Sequence, residues 1–422
     1  MKILVIGSGA REHALVRSLK RDDGVEVICA PGNAGIALDV VTHSVDQVNA
    51  DSVVALAQTV AADLVVIGPE APLVAGVADA LRAAGIPTFG PSAAAARLEG
   101  SKAFAKDVMQ SAGVPTARAH LCMALDDVDA ALDEFGSPYV VKDDGLAAGK
   151  GVVVTTDRET ARNHAQLCIE GRPGGAVVIE EYLDGPEVSL FAVTDGVTVI
   201  ALSPAQDFKR VFDNDEGPNT GGMGAYSPLP WAPVTLVSEV IDDVLQPTVD
   251  EMARRGTPFS GLLYAGLALT SRGTRVIEFN ARFGDPETQV VLARLASPLS
   301  SLLFASATET LSSHPALEWK DSSAITVVMA AEGYPDAPQS GAVITGLVDH
   351  DTFDIFHAGT RRNDDGDFVV SGGRVLCVTA SGSDLVDARR RVYEGVSQIH
   401  FAGEHHRTDI ALKAALGEVN VP

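Results

Sequence analysis

The sequence predicts a multidomain α/β and α+β chain that opens on a doubly wound parallel sheet. Three observations lead there. The first hundred residues alternate short apolar runs with helical stretches, as parallel strands joined by crossover helices do. Beyond Ser101 a smaller strand–helix unit is followed by strands that pair around Asp195-Gly196 and Ser271-Arg272-Gly273. The 422 residues exceed what a single core organises and indicate about three domains.

In order, strands are expected over 3–6, 25–30, 64–68 and 87–89, with helices over 12–20, 51–61 and 75–84. Ligands on such a sheet bind beyond the carboxyl ends of the strands, here the loops 7–13, 31–35 and 68–73. The next region begins with a helix over 102–111. Strands follow at 139–142, 151–155, 176–182, 187–194, 261–270 and 275–280, with helices over 158–169 and 236–254. The last region carries strand-like runs at 324–330, 341–346, 353–357 and 374–380 and a helix over 385–399, a small α+β domain.

Composition narrows the function. Thirty-two Lys and Arg stand against 56 Asp and Glu, a formal charge of −24. Such a surface repels nucleic acid and anionic membranes. A phosphate site must therefore be built locally, from chosen lysines, arginines and backbone amides. The cysteines Cys29, Cys122, Cys168 and Cys377 are far apart, without CxxC or Cys/His metal spacing, and read as buried free thiols in a reducing compartment. The chain opens directly on a strand-like run, without a signal-peptide pattern, and no apolar run is long enough to span a membrane, so a cytoplasmic location is expected.

Five segments carry chemistry. Gly7-Ser8-Gly9-Ala10-Arg11-Glu12-His13 follows the first strand like a dinucleotide fingerprint, but Glu12 replaces its third glycine and no acidic residue ends the second strand. An NAD site is therefore disfavoured, while a turn presenting helix amides to an anion is not. Gly145-Leu146-Ala147-Ala148-Gly149-Lys150-Gly151 suits a flap over a polyphosphate, with Lys142 closing the strand before it. A plain glycine-rich turn and a snorkelling lysine are the bland alternatives. Glu180-Glu181-Tyr182 and Glu187 can hold adenine and ribose, or can simply be the acidic end of a strand. Glu278 and Asn280 fall on one strand face and suit Mg²⁺; Arg282 continues the spacing towards an oxyanion. The alternative there is a structural salt-bridge cluster. The loop Pro218-Asn219-Thr220-Gly221-Gly222-Met223-Gly224-Ala225-Tyr226 has few side chains and permits close substrate approach.

Taken in order, GSGAREHAL, APGNAG, GPEAPLV, LEGSKAFAKD, DGLAAGKGV, IEEYLDGPEVS, GPNTGGMGAYSP, GLLYAGL, IEFNARFGDPETQ, VVMAAEGYP, FHAGT and GGRVLCVTA make this chain resemble the glycinamide ribonucleotide synthetase family of ATP-grasp ligases, from residue 1 to about 410. IEFNARFGDPETQ and GPNTGGMGAYSP are specific to that family; the glycine flap is shared by the wider superfamily. The resemblance implies an N-terminal α/β domain over 1–101, an ATP-grasp domain over 102–322 with a mobile lid near 118–188, and a C-terminal domain over 323–422. It implies ATP with Mg²⁺ or Mn²⁺, glycine and phosphoribosylamine as substrates, a glycyl phosphate intermediate, and a monomer.

It also implies roles. Lys102, Lys142, Gly145, Gly149, Lys150 and Gly151 would hold the ATP phosphates, and Glu180, Glu181 and Glu187 the adenosine. Glu278 and Asn280 would ligate the metal, and Arg282, Asp285 and Lys150 would act in catalysis. Gly9, Arg11, Glu12, Asn33, Glu70, Asp207, Lys209, Arg210, Asn219, Thr220 and Gly221 would line the substrate channel. Two positions depart from the family pattern, which has Ala where Asp143 stands and His where Phe208 stands. The rivals are another ATP-grasp carboxylate–amine ligase, an NAD-dependent oxidoreductase and a nucleotide sensor without turnover.

Overall fold

Lys2–Gly7 and Leu64–Ile67 are buried apolar runs, and strands buried on both faces belong in the middle of a parallel sheet. They lie there in the computed structural model, which describes residues 1–145, 151–348 and 350–422. The N-terminal sheet runs Val41–Thr42, Glu26–Pro31, Lys2–Gly7, Leu64–Ile67, Thr88–Phe89, every pair parallel. The helix expected over 75–84 is Val77–Ala83, and a short helix, Glu70–Val74, precedes it where a loop was expected. Gly76 stands between them at φ +82, a left-handed conformation that ends one helix and caps the next.

The segment 118–188 holds a separate antiparallel sheet, in the order Ala119–Cys122, Val177–Glu180, Tyr139–Asp143, Val152–Thr155. The helices Leu125–Phe135 and Arg158–Glu170 pack on it around their own small core. A second antiparallel sheet, Val199–Ala201, Glu187–Asp195, Ser260–Thr270, Gly273–Asn280, forms the body beneath. The hairpins expected at Asp195-Gly196 and Ser271-Arg272-Gly273 are both present. The helix expected over 236–254 is continuous but contains a π-helical turn, Ile241–Leu245, just before Pro247, which has no N–H to donate.

The C-terminal sheet runs Gln206–Asp207, Gly224–Ser227, Ser323–Ala330, Arg374–Gly382, Asp354–His357. Its first two strands come from the middle of the chain. One sheet therefore crosses residue 323 and fixes the glycine-rich loop 218–226 to the last region of the chain. The run 341–346 is not a strand: it makes only isolated bridges, Val343 to Val369 and Thr345 to His400. Positive φ at Gly341 and Gly346 breaks the ladder there. Cys29, Cys122, Cys168 and Cys377 are free thiols. Among the described residues no helix is long and apolar enough to cross a membrane.

Candidate active site

Three layers of charge meet where the segment 118–188, the body sheet and the N-terminal loops face one another. The first centres on Lys142. Alternation along Tyr139–Asp143 sends Lys142 and Asp143 to opposite sides. Lys142 Nζ lies 2.7 Å from Glu180 Oε2 and donates to the Ile277 carbonyl at 3.0 Å. Asp143 turns outward to Arg172, 2.8 Å away. The other oxygen of Glu180 pairs with Lys106 at 2.9 Å. Lys102, at the start of the helix Lys102–Ala112, donates to the Gly145 carbonyl at 3.1 Å. Asp144 accepts from Ser101 Oγ and Ala103 N, both at 3.1 Å, so the stem of the glycine-rich segment is pinned to that helix start. Burial lowers the pKa of Lys102 and of Lys106, with neighbouring Lys142 adding to the effect.

The second layer is Glu278 and Asn280. The strand Gly273–Asn280 shifts register between Gly266 and Leu267 of its partner, so that Ile277 is the extra residue. Val276 and Phe279 consequently both enter the core, while Glu278 and Asn280 share the opposite face. Burial raises the Glu278 pKa, but Lys209, Lys142, Lys102 and Arg282 together hold it below the ordinary carboxylate value. An ionised carboxylate beside an amide oxygen is a donor set for a hard cation that takes its remaining ligands from phosphate and water. No cluster of three or more His, Cys, Asp or Glu able to cage a metal occurs among the described residues. The residues thus fit a metal that arrives with a polyphosphate.

The third layer faces the N-terminal loops. Arg282 lies 2.9 Å from Glu99 and 3.3 Å from Glu70. Burial pulls its pKa down, but Glu99 and Glu70 more than offset this and hold the guanidinium charged. Arg11 donates to Glu12 at 2.6 Å and to the Phe283 carbonyl at 3.1 Å. The other Glu12 oxygen accepts from Gly9 N at 2.6 Å. Glu12 is buried where any side chain on Gly7 or Gly68 would collide with it: a Cβ on Gly68 would stand 2.1 Å from Oε1. Asp285 pairs with Arg374 at 2.9 Å and accepts from Gln289 at 3.0 Å. Arg374 also donates to the carbonyls of Gly221 and Asp285. Nearby, Lys209 pairs with Glu187 at 2.6 Å. Burial pushes the Asp207 carboxyl up to about 7, Lys209 pulling it down and Glu287 and Glu187 adding to the rise.

The expected site residues are engaged as follows. Glu180 pairs with Lys106 and Lys142 and Glu181 with Arg118 and Arg272, while Glu187 gives one oxygen to Lys209 and stays half-exposed. Val177–Glu180 is also an inner strand, so it has no free edge for adenine before Glu181. Glu12 has both oxygens engaged and positions Arg11 and Gly9 instead of reaching outward. Asn33 is a knot between domains: its amide donates to Ser8 O and His357 O, both at 2.8 Å, and its oxygen accepts from Gly35 N and Ile36 N. Arg210 is turned onto the Gly217 carbonyl within its own hairpin. Thr220 is buried and bonded to the Lys209 carbonyl. Asn219 donates to Val152 O at 3.5 Å, joining its loop to the sheet of the segment 118–188. Gly149 and Lys150 lie outside the described residues. Phe208, where His was expected, lies beneath the Arg407 guanidinium at 4.9 Å and near the Tyr226 ring. A hydrophobic ring with a cation on its face is self-sufficient at that site.

Comparison with known proteins settles the family. Phosphoribosylglycinamide synthetase N domain, ATP-grasp (A) domain and C domain match residues 1–99, 100–288 and 324–413. This chain belongs to the phosphoribosylglycinamide synthetase family. A phosphoribosylamine–glycine ligase of Streptomyces coelicolor is 65% identical over 98% of this chain and all of its own length. One from Mycobacterium tuberculosis is 56% identical over 100% of both. The crystal structure of the Thermotoga maritima phosphoribosylamine–glycine ligase, 34% identical, superposes with a TM-score of 0.85 over 97% of this chain and 100% of that one. A biotin carboxylase of Campylobacter jejuni, 15% identical, shares the fold at a TM-score of 0.72 over 96% of this chain and 92% of its own.

Four residues of this phosphoribosylglycinamide synthetase chain escaped the sequence reading: Glu99, Lys106, Glu287 and Arg374. Glu99 and Lys106 lie in LEGSKAFAKD, Glu287 in IEFNARFGDPETQ and Arg374 in GGRVLCVTA. The signal was present in those motifs, but only the fold pairs Glu99 with Arg282 and Arg374 with Asp285. Glu287 accepts from Tyr264 at 2.7 Å in the buried floor of the site.

Proposed function

We propose that this chain ligates glycine to 5-phosphoribosylamine at the expense of ATP, giving glycinamide ribonucleotide, ADP and phosphate in purine synthesis. The observation that carries this reading is the full-length match to relatives named phosphoribosylamine–glycine ligases, in a chain that keeps the charged layers described above. On this reading the chain divides into an N-terminal domain, an ATP-grasp domain with a lid near 118–188 and a C-terminal domain, and works as a cytoplasmic monomer.

A free carboxylate resists attack by an amine. A glycine oxygen therefore attacks the γ-phosphorus of ATP and ADP leaves, giving glycyl phosphate. The amine nitrogen then attacks the acyl carbon. The bond from carbon to the bridging oxygen breaks, phosphate leaves with that oxygen, and the nitrogen loses a proton. Lys102 and Lys142 neutralise phosphate oxygens, while Glu180 holds Lys142 in place. Arg282, kept charged and oriented by Glu99 and Glu70, meets the glycine carboxylate beside Asp285. Glu278 and Asn280 would hold a divalent cation, Mg²⁺ or Mn²⁺, which would offset charge on the polyphosphate. Positioning and fixed charge supply most of the acceleration, as in phosphoryl transfer generally.

Phosphate release from ATP, with glycine and freshly prepared phosphoribosylamine added singly and together, tests the reading. Release is expected only with both. Full activity with another amino acid and none with glycine contradicts it.

A further inference from the structure

Gln289 is the third residue of the helix Glu287–Arg294 and stands one turn beyond Asp285. It is 1% exposed. Its Nε2 donates to Asp285 Oδ1 at 3.0 Å and to the sulfur of Cys377 at 3.5 Å. The other Asp285 oxygen pairs with Arg374 at 2.9 Å. Each carboxylate oxygen thus has its own donor, a neutral amide from the helix and a guanidinium from the strand Arg374–Gly382. The Gln289 oxygen is buried with no hydrogen-bond partner among the described residues. Buried polar atoms are nearly always paired, because a stranded one loses its water for nothing. Turning the amide over would set that oxygen against the Asp285 carboxylate, acceptor to acceptor. The crevice beside Gln289 is walled by Ala14, Leu292 and Phe356 as well as Arg17 and Asp354, so an apolar side chain would suit the packing. An amide here keeps an unmet acceptor and presents its N–H groups to Asp285.

We infer that Gln289 is a positioning residue for the ligation: it fixes the direction of the Asp285 carboxylate from one side while Arg374 fixes it from the other. The inference rests on the function proposed above, in which Asp285 faces glycine. Glycine carries an ammonium group, and a carboxylate serves it best when ionised and already aimed. Arg374 also donates to the carbonyls of Gly221 and Asp285, so alone it would draw the carboxylate towards the glycine-rich loop. Gln289 opposes that pull. Being neutral, it does so without cancelling charge, as a second cation would, and without the repulsion of a second carboxylate. The carboxylate so held stands where three parts of the chain converge. A Cβ on Gly9 of the N-terminal loop would lie 3.7 Å from Asp285 Oδ2. The helix supplies Gln289, and the C-terminal sheet supplies Arg374 and Cys377.

Gln289→Met and Gln289→Glu test this. Met keeps the length and volume, and it removes both the donor to Asp285 and the unpaired oxygen, so the melting temperature should stay close to the parental one. KM for glycine should rise about tenfold or more, while KM for ATP and for phosphoribosylamine stays within about twofold. In Gln289→Glu the introduced carboxyl meets Asp285 and Arg374 on one side and Arg17 and Asp354 across the crevice. Cys377, its remaining neighbour, stays protonated, because burial raises its thiol pKa. Two buried carboxyls in contact share one proton and hold it above the ordinary carboxylate range. While protonated, the new carboxyl donates to Asp285 as the amide did; once ionised it repels Asp285. KM for glycine in Gln289→Glu should therefore approach the parental value at about pH 6 and exceed it about tenfold at about pH 8. Gln289→Met should show its full loss at both. A KM for glycine unchanged in Gln289→Met overturns the inference. So does an equal rise in KM for all three substrates with a lowered melting temperature, the mark of a purely structural residue, and so does a loss in Gln289→Glu that ignores pH. Crystal structures of the parent and Gln289→Met need no turnover. They should show the Asp285 carboxylate displaced in the variant, and an unmoved carboxylate overturns the inference too. A parent that releases no phosphate with glycine and phosphoribosylamine together contradicts the proposed function instead, and the crystallographic comparison then decides the positioning.

Discussion

The ammonium of Lys142 lies 2.7 Å from the carboxylate of Glu180, and both side chains are buried. Because Lys106 takes the second oxygen at 2.9 Å, Glu180 stays paired when Lys142 is removed. Lys142→Met should therefore fold, and it should lose ATP use selectively. A charge-assisted contact to phosphate contributes about 2–3 kcal/mol, so kcat/KM for ATP should fall by roughly 30- to 150-fold. Asp143→Ala breaks only the half-exposed pair with Arg172 and should cost under about 1 kcal/mol of stability with little change in ATP kinetics. Steady-state kinetics of the two variants against ATP, with denaturant titration, checks both. A large kinetic loss for Asp143→Ala, rescued by high Mg²⁺, would show that Asp143 faces the nucleotide.

The Glu278 side chain makes no hydrogen bond or ion pair within the described residues, although four cations surround it at longer range. Its removal leaves no partner stranded. Glu278→Gln should keep the parental melting temperature while turnover drops by two orders of magnitude or more, about 2.7 kcal/mol. Titrating Mg²⁺ against rate in the variant is the check; an unaltered metal dependence would refute the assignment.

Gly68→Ala places a methyl group against the Glu12 carboxylate, which cannot retreat without surrendering Gly9 N and Arg11. Overpacking of this kind costs about 1–3 kcal/mol. Urea unfolding should show it, and a variant within about 0.5 kcal/mol of the parent would mean that Glu12 can move freely.

The seam between the first and last domains should be acid-sensitive. Burial, with His13 and Arg17 nearby, lowers the His357 pKa from 6.5 to about 3, and burial lowers that of His13 as well. Their contribution is fully present above pH 6.5, where both states are neutral. Below it the unfolded chain takes up a proton that the folded chain refuses. Stability then falls by about 1.4 kcal/mol per pH unit for each group until its folded pKa is reached. Urea midpoints between pH 6.5 and 5 should decline more steeply in the parent than in His357→Gln, before the carboxylates titrate. Parallel slopes would show that His357 stays protonatable in the folded chain.

The N-terminal sheet was legible because strands buried on both faces are written as unbroken apolar runs, such as Ile3 to Ile6 and Leu64 to Ile67. The body hairpins were legible from their turns. The run 341–346 misled because its apolar residues pack without a ladder, broken by glycines at positive φ. Among the candidate site residues, the shared face of Glu278 and Asn280 was readable from two-residue spacing, and that spacing holds only because the bulge at Ile277 falls before them. The acidic run at Glu180-Glu181 was readable as charge but not as ion pairs, since Lys106, Arg118 and Arg272 reach it from other parts of the chain. Arg374 is the clearest omission: one arginine in an apolar strand motif carries no local sign that it holds Asp285 and Gly221 together.

The most direct measurement of the central claim follows oxygen. Glycine labelled with ¹⁸O in both carboxylate positions is supplied with ATP and phosphoribosylamine, and the released phosphate and the ligated product are analysed by mass spectrometry. Activation through glycyl phosphate predicts one ¹⁸O in each phosphate and one retained in each amide carbonyl. Unlabelled phosphate, with ATP consumed and product formed, would contradict it.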